Sequence, residues 1–270
     1  MKVVELRYSN TNTWLIRSGE GSILFDTGWA GTFQAFLAAM GEQKLAVQDI
    51  DLILISHFHP DHCGIAQEIA ALGPKIVVAD VQRDYIHFPD RIFAAEKKFR
   101  HVPIEDEGIV LLPLAESREF LKRHGFAGQL LHTPGHSDDS ISLCLDGGSI
   151  FVGDLNPLYE LEAHKGTQIE ESWKKLLALK PHSIYYGHAA TAHPGKNTAV
   201  PERDADLDRL VESIMRLIDK GSPLDRIARK TGAERAFVEN VARMYLTHRD
   251  IGVQGILDRI ELRGIHAKDA

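Results

Sequence analysis

Three histidines and one aspartate fall within six consecutive positions, directly after a short apolar run. The run, residues 50–55, is rich in β-branched residues and bounded by polar ones, as expected of a buried strand. The residues that follow it with metal-binding side chains are His57, His59, Asp61 and His62. Apolar spacing over residues 63–72 then predicts a helix that ends at Gly73-Pro74. The cluster is therefore predicted to lie on a strand-to-helix loop, where side chains project into a cleft.

Imidazole and carboxylate groups together form a ligand set for zinc, iron or manganese. Scattered surface histidines are the alternative, but a random chain of this composition would give such a pattern only roughly a few times in a thousand. Three further candidates each follow a β-rich run and a neighbouring Gly or Pro: His136, Asp154 and His188. Each alone is as typical of a surface turn, whereas their recurrence at strand ends indicates a shared site.

Composition excludes several classes of protein. With 270 residues, 44% hydrophobic and 26% charged, the chain can form one large globular domain or a domain with an appendage. Its two cysteines, Cys63 and Cys144, offer neither a disulfide framework nor a paired-thiolate site, so we expect a reducing, cytoplasmic setting. No secretory signal or membrane-spanning stretch is evident at the sequence level. The net charge of −7 argues mildly against a protein that binds polyanions over its whole surface.

The order of the predicted elements indicates a layered α/β arrangement. Hairpin strands within residues 3–28 are followed by a helix over 33–40 that Gly41 ends, and by strands over 50–55 and 75–79. Further helices are predicted over 114–124 and 170–179. Segment 80–107 forms either a wall of a cleft or a solvated connector with one amphipathic helix near 91–99. Segments 80–107 and 156–168 are candidates to line a pocket. Tyr159, His164 and Lys165 of the second segment are candidates to line a substrate pocket.

Five motifs, taken together, resemble those of the metallo-β-lactamase superfamily of hydrolases. They are Phe25-Asp26-Thr27-Gly28, His57-x-His59-x-Asp61-His62, Thr133-Pro134-Gly135-His136, Gly153-Asp154 and Gly187-His188. They stand in the family's order, and no metal-ligand position is missing. The resemblance implies a four-layer αββα sandwich with a two-metal site at one edge. It implies a catalytic domain over residues 1–200, which leaves 201–270 as a helical subdomain.

The resemblance also assigns roles to individual residues. The first of two divalent ions would be held by His57, His59 and His136, and the second by Asp61, His62 and His188. Asp154 would bridge both ions, and Asp26 would support the site from behind. Zinc is the expected metal, with iron or manganese also compatible. Asp61 is the expected catalytic residue, because it could orient the attacking hydroxide or receive its proton.

The types of the candidate ligands resemble those of one branch of the family more than those of another. All of these ligands are His or Asp, which is closer to glyoxalase II and lactonases than to β-lactamases with a Cys ligand. Cys63 matches no ligand position and is expected to be a small packed thiol. No Gly-x-Ser-x-Gly motif offers an alternative nucleophile.

The last third of the chain is predicted to be helical. Apolar spacing predicts helices over 207–218, 224–230 with Ser222 as N-cap, and 233–247. The last two helices have helix-turn-helix proportions. However, residues 202–270 carry 13 basic and 13 acidic residues, whereas a domain that binds duplex DNA usually has a basic face. We therefore expect packing or homodimer formation and no nucleic-acid partner. His193 lies on the preceding loop, either at the substrate entrance or as a surface residue.

These observations lead to one principal hypothesis and three rivals. The principal one is a metal-dependent hydrolase that uses a hydroxide bridging two metals to cleave a small ester, thioester or lactone. A phosphodiesterase acting on a small phosphorylated compound is an alternative, since metal pairs also serve phosphoryl transfer. A regulatory DNA-binding protein with a vestigial hydrolase fold belongs to a different class. A di-iron redox relative is disfavoured because His59 is intact where such proteins commonly carry a carboxylate.

Overall fold

The computed structural model describes residues 1–95, 100–194 and 205–247, together with Val253, Ile256, Leu257 and Ile260. The chain forms two compact units. The first comprises Met1–Gly187 and Thr191–Pro194, and the second comprises His188–Ala190 and Gly195–Ala270. The domain boundary predicted at residue 200 lies outside the described residues.

Two mixed sheets form the first unit. The strands of one sheet are β1 (Lys2–Leu6), β2 (Thr13–Arg17), β3 (Ser22–Phe25), β4 (Leu52–Leu54), β5 (Lys75–Ala79) and β6 (Ile109–Leu112). They lie side by side in chain order; β1 to β3 pair antiparallel and β3 to β6 pair parallel. The strands of the other sheet are β7 (Gly128–His132), β8 (Ile141–Leu145), β9 (Ser149–Phe151) and β10 (Ser183–Tyr185). Their order is β10-β9-β8-β7, and only β9 and β10 pair parallel.

The hydrophobic pattern of the strands explains why the sheets stack. Leu24 and Ile53 belong to one buried cluster, whereas the next residues along, Phe25 and Leu54, belong to another, as the two-residue period of a strand requires. The second cluster also contains residues of the other sheet, namely Leu130, Ile141, Leu143, Leu145 and Phe151. The two sheets therefore face each other across a shared core.

Helices cover the outer faces of both sheets. The helices of the first unit are α1 (Phe33–Glu42), α2 (Pro60–Cys63), α3 (Ala66–Ala70), α4 (Phe88–Ala95), α5 (Ser117–Arg123) and α6 (Gln168–Ala178). Phe36 of α1 and Ile69 of α3 join the cluster on the outer face of the first sheet. Helix α6 buries Trp173, whose ring contacts Tyr186 after β10. Helix α5 packs beside β7 and adds Phe120 and Leu121 to the core between the sheets. The four-layer αββα sandwich is thus confirmed.

Several local predictions were wrong, for identifiable reasons. Within the predicted helix over 63–72, only α3 (Ala66–Ala70) forms: α2 ends at Cys63, and the chain turns at Gly64 to pack against backbone. A Cβ on Gly64 would lie 2.2 Å from the nitrogen of Ala30. Strand β6 was missed: its four apolar residues stand between the irregular segment 80–107 and the predicted helix over 114–124, and no element was assigned to them. Helix α1 continues through Gly41 to Glu42.

The second unit has its own apolar core. Its helices are α7 (Ala205–Asp219), α8 (Leu224–Thr231) and α9 (Arg235–Thr247). The core contains Val211, Ile214, Ile227, Phe237, Val238, Val241, Ile256, Leu257 and Ile260. The N-cap of α8 is Pro223, not the predicted Ser222, and no side chain caps this end. No helix among the described residues is long and apolar enough to cross a bilayer.

Candidate metal centre

The metal-site candidates lie just beyond the carboxyl ends of parallel strands. Phe25 of β3 pairs with Leu54 of β4, so that Asp26 and the loop beginning at Ser56 leave the first sheet side by side. Phe151 of β9 pairs with Tyr185 of β10, which brings Asp154 and His188 to the corresponding edge of the second sheet. Parallel pairing fixes this outcome, because the carboxyl ends of neighbouring parallel strands meet at one edge.

The structure brings together all seven predicted ligands. Among the described residues, three groups place one donor atom per residue within 4.8 Å of one another. They are His57, His59 and His136; His57, His62 and Asp154; and Asp61, His62 and His188. Because His57 and His62 each belong to two groups, the seven side chains form one continuous cluster of donors.

Distances between donor atoms match the spacing of ligands on a metal ion. A tetrahedral ion with bonds of about 2.0–2.1 Å holds its ligand atoms roughly 3.3 Å apart. His59 Nδ1 lies 3.0 Å from His136 Nε2. Asp154 Oδ1 lies 3.3 Å from His62 Nε2, and Asp154 Oδ2 lies 3.6 Å from His136 Nε2. The two oxygens of Asp154 thus face different histidines.

Asp26 and Ser56 orient two of the imidazoles. The carboxylate of Asp26 accepts hydrogen bonds from the Ser56 amide at 2.7 Å, the Ser56 hydroxyl at 2.9 Å and His62 Nδ1 at 2.8 Å. Since the hydroxyl donates to Asp26, its oxygen is left to accept from His57 Nδ1 at 3.0 Å. Both imidazoles therefore carry a proton on Nδ1, so that Nε2 is the nitrogen that would face a metal.

The orientation of His57 shows that the residues fit a metal ion. His57 is fully buried, and its Nε2 has no hydrogen-bond partner in the described part of the chain. A buried polar nitrogen without a partner destabilises the fold by about 1–3 kcal/mol. A cation in contact with this nitrogen removes that cost, and the nearby donors His59, His136 and Asp154 would complete its coordination.

The electrostatic environment also favours cations. Burial, and then the neighbouring His62, lower the pKa of His57 and of His59, and burial lowers the pKa of His136 to about 3. These three imidazoles are therefore neutral near pH 7, the state that binds metals. Burial also lowers the pKa of His62, but Asp154, Asp26 and Asp61 outweigh it, and the pKa lies well above its ordinary value. Carboxylates that stabilise an imidazolium there would equally stabilise a metal ion.

Two glycines allow the loops to approach this closely. Gly153 has φ +56°, and a Cβ on it would lie 2.4 Å from Ser56 Oγ. A Cβ on Gly187 would lie 2.7 Å from Asp154 Oδ1 and 2.9 Å from His62 Cε1. Both contacts are far shorter than a carbon atom tolerates, so glycine is needed at these positions for steric reasons.

Sequence reasoning missed several residues that hold the site. Ser56, to which the sequence assigned no role, forms hydrogen bonds with Asp26 and His57. Asp139, which is 2% exposed, accepts a hydrogen bond from the Phe58 amide at 2.7 Å. The hydroxyl of Thr11 donates to the carbonyl of Asp61 at 2.7 Å. Only Asp139 carried a usable signal, as an acidic residue three positions after a candidate ligand.

The remaining predicted residues lie in different surroundings. Tyr159 is 47% exposed on a 3-10 helix, Leu158–His164. His193 contacts Ser183 Oγ at 3.1 Å, at the amino end of β10, whereas the candidate ligand His188 follows the carboxyl end. The structure therefore does not bring His193 into the donor cluster. Cys63 is buried and donates to the carbonyl of His59 at 3.2 Å.

Comparison with known proteins gives the family. Residues 6–188 match the metallo-beta-lactamase superfamily. The chain is 33% identical over 194 residues to a beta-lactamase-like protein 2 homolog of Drosophila melanogaster, an alignment that covers 66% of this chain and 58% of that protein. The chain thus spans little more than half the length of that relative.

The alignments with two other proteins cover a larger share of those proteins. A hydroxyacylglutathione hydrolase of Aeromonas salmonicida (strain A449) is 26% identical over 239 residues, covering 85% of this chain and 81% of that protein. A protein whose crystal structure was determined in a di-iron-bound form is 25% identical, with a TM-score of 0.54, covering 74% of this chain and 98% of that one. The superfamily match extends over most of the chain and spans all seven residues of the donor cluster, and the chain belongs to the metallo-beta-lactamase superfamily.

Proposed function

We propose that this protein is a hydrolase that depends on two divalent metal ions and cleaves a small ester, thioester or lactone. The observation that carries the proposal is the continuous cluster of seven donors, in which His57 and His62 are each shared between groups. Such sharing gives room for two neighbouring ions. The neutral, buried imidazoles and the partnerless His57 Nε2 support the same conclusion.

The roles of the residues follow from their positions. His57, His59 and His136 would hold one ion, Asp61, His62 and His188 the other, and Asp154 would face both. When bound, the ions supply an activated water and polarise the carbonyl oxygen of the substrate. Asp26 and Ser56 accept the Nδ1 protons of His62 and His57, so that Nε2 of each ring is the nitrogen that would contact an ion.

Asp61 is the residue placed to handle the proton. Its side chain is 17% exposed, and its Oδ2 lies 3.9 Å from His62 Nε2. The carboxylate therefore borders both the donor cluster and solvent. It can accept the proton that water releases as it attacks the carbonyl carbon and then pass that proton to solvent.

The surface beside the cluster supports an apolar group on the substrate. Phe88, the first residue of α4, is 43% exposed, and its ring centroid lies 6.0 Å from that of His59. An exposed aromatic ring next to a site of this kind provides a contact for an acyl chain or a ring. The name of the Aeromonas relative describes hydrolysis of an acylated glutathione, which supports a thioester among the substrates.

Removal and restoration of metal is the decisive test. The purified protein is treated with excess chelator, dialysed and reloaded separately with Zn²⁺, Fe²⁺ or Mn²⁺. Hydrolysis of acyl thioesters and lactones is followed beside that of bis-nitrophenyl phosphate. We expect activity to disappear with the chelator and to return with metal, most strongly with Zn²⁺ because the donors are nitrogen and oxygen atoms.

Each other outcome has a definite meaning. Activity that survives complete metal removal rejects the proposal. Turnover of the phosphodiester without turnover of any acyl substrate replaces it by the phosphodiesterase alternative. Elemental analysis of the protein as purified determines which metal it acquires in the cell that makes it.

A further inference from the structure

A buried carboxylate outside the predicted ligand set connects two of the loops that carry ligands. Asp139 is 2% exposed, and its Oδ2 accepts the hydrogen bond of the Phe58 amide at 2.7 Å. Phe58 stands between His57 and His59 and is itself 1% exposed. The bond therefore fixes the peptide unit between two ligands of the same group.

Asp139 also lies three residues after the third ligand of that group, His136. The turn that contains both is braced by a contact of 2.7 Å between the hydroxyls of Ser137 and Ser140. A second bond crosses to the histidine loop just beyond the turn, from the amide of Ile141 to the carbonyl of Ser56 at 2.8 Å. Two short bonds thus join the turn after β7 to the loop after β4.

We propose that Asp139 is a positioning residue that assembles the group His57, His59 and His136 before any metal binds. The proposal rests on the proposed metal-dependent function. Ligands from loops almost eighty residues apart need a fixed relative position, and one carboxylate bonded to the Phe58 amide provides it.

Three variants separate this role from general stability. Asp139→Ala removes the acceptor, Asp139→Asn keeps an oxygen that can accept the same bond, and Asp138→Ala removes the neighbouring, exposed carboxylate as a matched control. Zinc affinity and stoichiometry are measured by competition with a chromophoric chelator, and the Co²⁺-loaded proteins are compared by visible absorption. We expect Asp139→Ala to lower the affinity for one of the two ions by about 10–100-fold and to change the visible spectrum of the Co²⁺-loaded protein.

The controls make the result specific. Asp139→Asn and Asp138→Ala should bind both ions as the wild type does. If Asp139→Ala is folded and binds both ions with unchanged affinity and spectrum, the positioning role is refuted, even if the variant melts at a lower temperature.

A measurement on the wild-type protein covers the case in which Asp139→Ala does not fold. Since the proposal requires this bond before metal binds, the Phe58 amide should exchange slowly with deuterium in metal-free protein. Fast exchange of this amide overturns the inference. A wild-type protein that protects the Phe58 amide yet takes up no metal would refute the proposed function and leave the positioning geometry intact.

Discussion

Gly153 offers the sharpest test of how the metal centre is built. Its φ of +56° lies in the left-handed region, and a Cβ would lie 2.4 Å from Ser56 Oγ and 2.5 Å from Ser56 Cβ. Alanine in this conformation costs about 1–2 kcal/mol from the backbone alone. The collision adds about 1–3 kcal/mol, as expected of an overpacked core. We therefore expect Gly153→Ala to lower the free energy of unfolding by about 2–5 kcal/mol.

The collision also has a functional consequence. Ser56 can escape the new methyl group only by moving away from Asp26 and His57, with which it forms hydrogen bonds. His57 then loses its orienting partner, and metal affinity should fall by about 10–100-fold, as is typical when a residue supporting a ligand is lost.

Gly166→Ala is the matched control. Gly166 has φ +76°, and nothing lies within 4 Å of the position that an added Cβ would take. Alanine at this position therefore has the unfavourable backbone conformation but no steric collision. Both variants are compared by urea unfolding of the metal-free protein and by zinc competition with a chelator. Equal losses of stability in the two variants, with wild-type zinc affinity in both, would contradict the steric argument.

Three further expectations follow from the same geometry. Asp154→Asn, which removes a carboxylate facing both His62 and His136, should lower the metal content measured by elemental analysis from two ions to one or none. Phe88→Ala should reduce kcat/KM for long-chain acyl substrates far more than for acetyl substrates, whereas Leu177→Ala, also an exposed apolar residue, should affect neither. A hydrogen bond to Asp90 raises the pKa of His87 and outweighs the opposite effect of burial. The His87–Asp90 pair therefore stabilises the fold fully at pH values below 6.5, the ordinary pKa of histidine. This stabilisation disappears as the pH rises through the higher pKa that His87 has in the folded protein. His87→Gln should therefore lower the melting temperature more at about pH 5.5 than at about pH 8.5.

The sequence alone determined the features that depend on local pattern. The spacing of His57, His59, Asp61 and His62 predicted a metal-binding loop after a buried strand, and both the loop and strand β4 are present. The order of short apolar runs and helical patterns predicted a layered α/β arrangement, because strands and helices each bury an apolar face against a neighbouring layer. The apolar spacing after residue 205 likewise predicted helices, since a helix forms its backbone hydrogen bonds within its own segment.

Only the tertiary structure decided what depends on contacts between distant segments. Strand β6 exists because β5 offers it a parallel partner, and the break at Gly64 exists because the backbone of Ala30 lies against it. The bonds that Asp26 and Asp139 form to the histidine loop join residues that are far apart in the chain. Such contacts follow from strand order and register, which local propensity does not encode. The ligand types could therefore be read from the chain, whereas the residues that hold them in place became visible only in the fold.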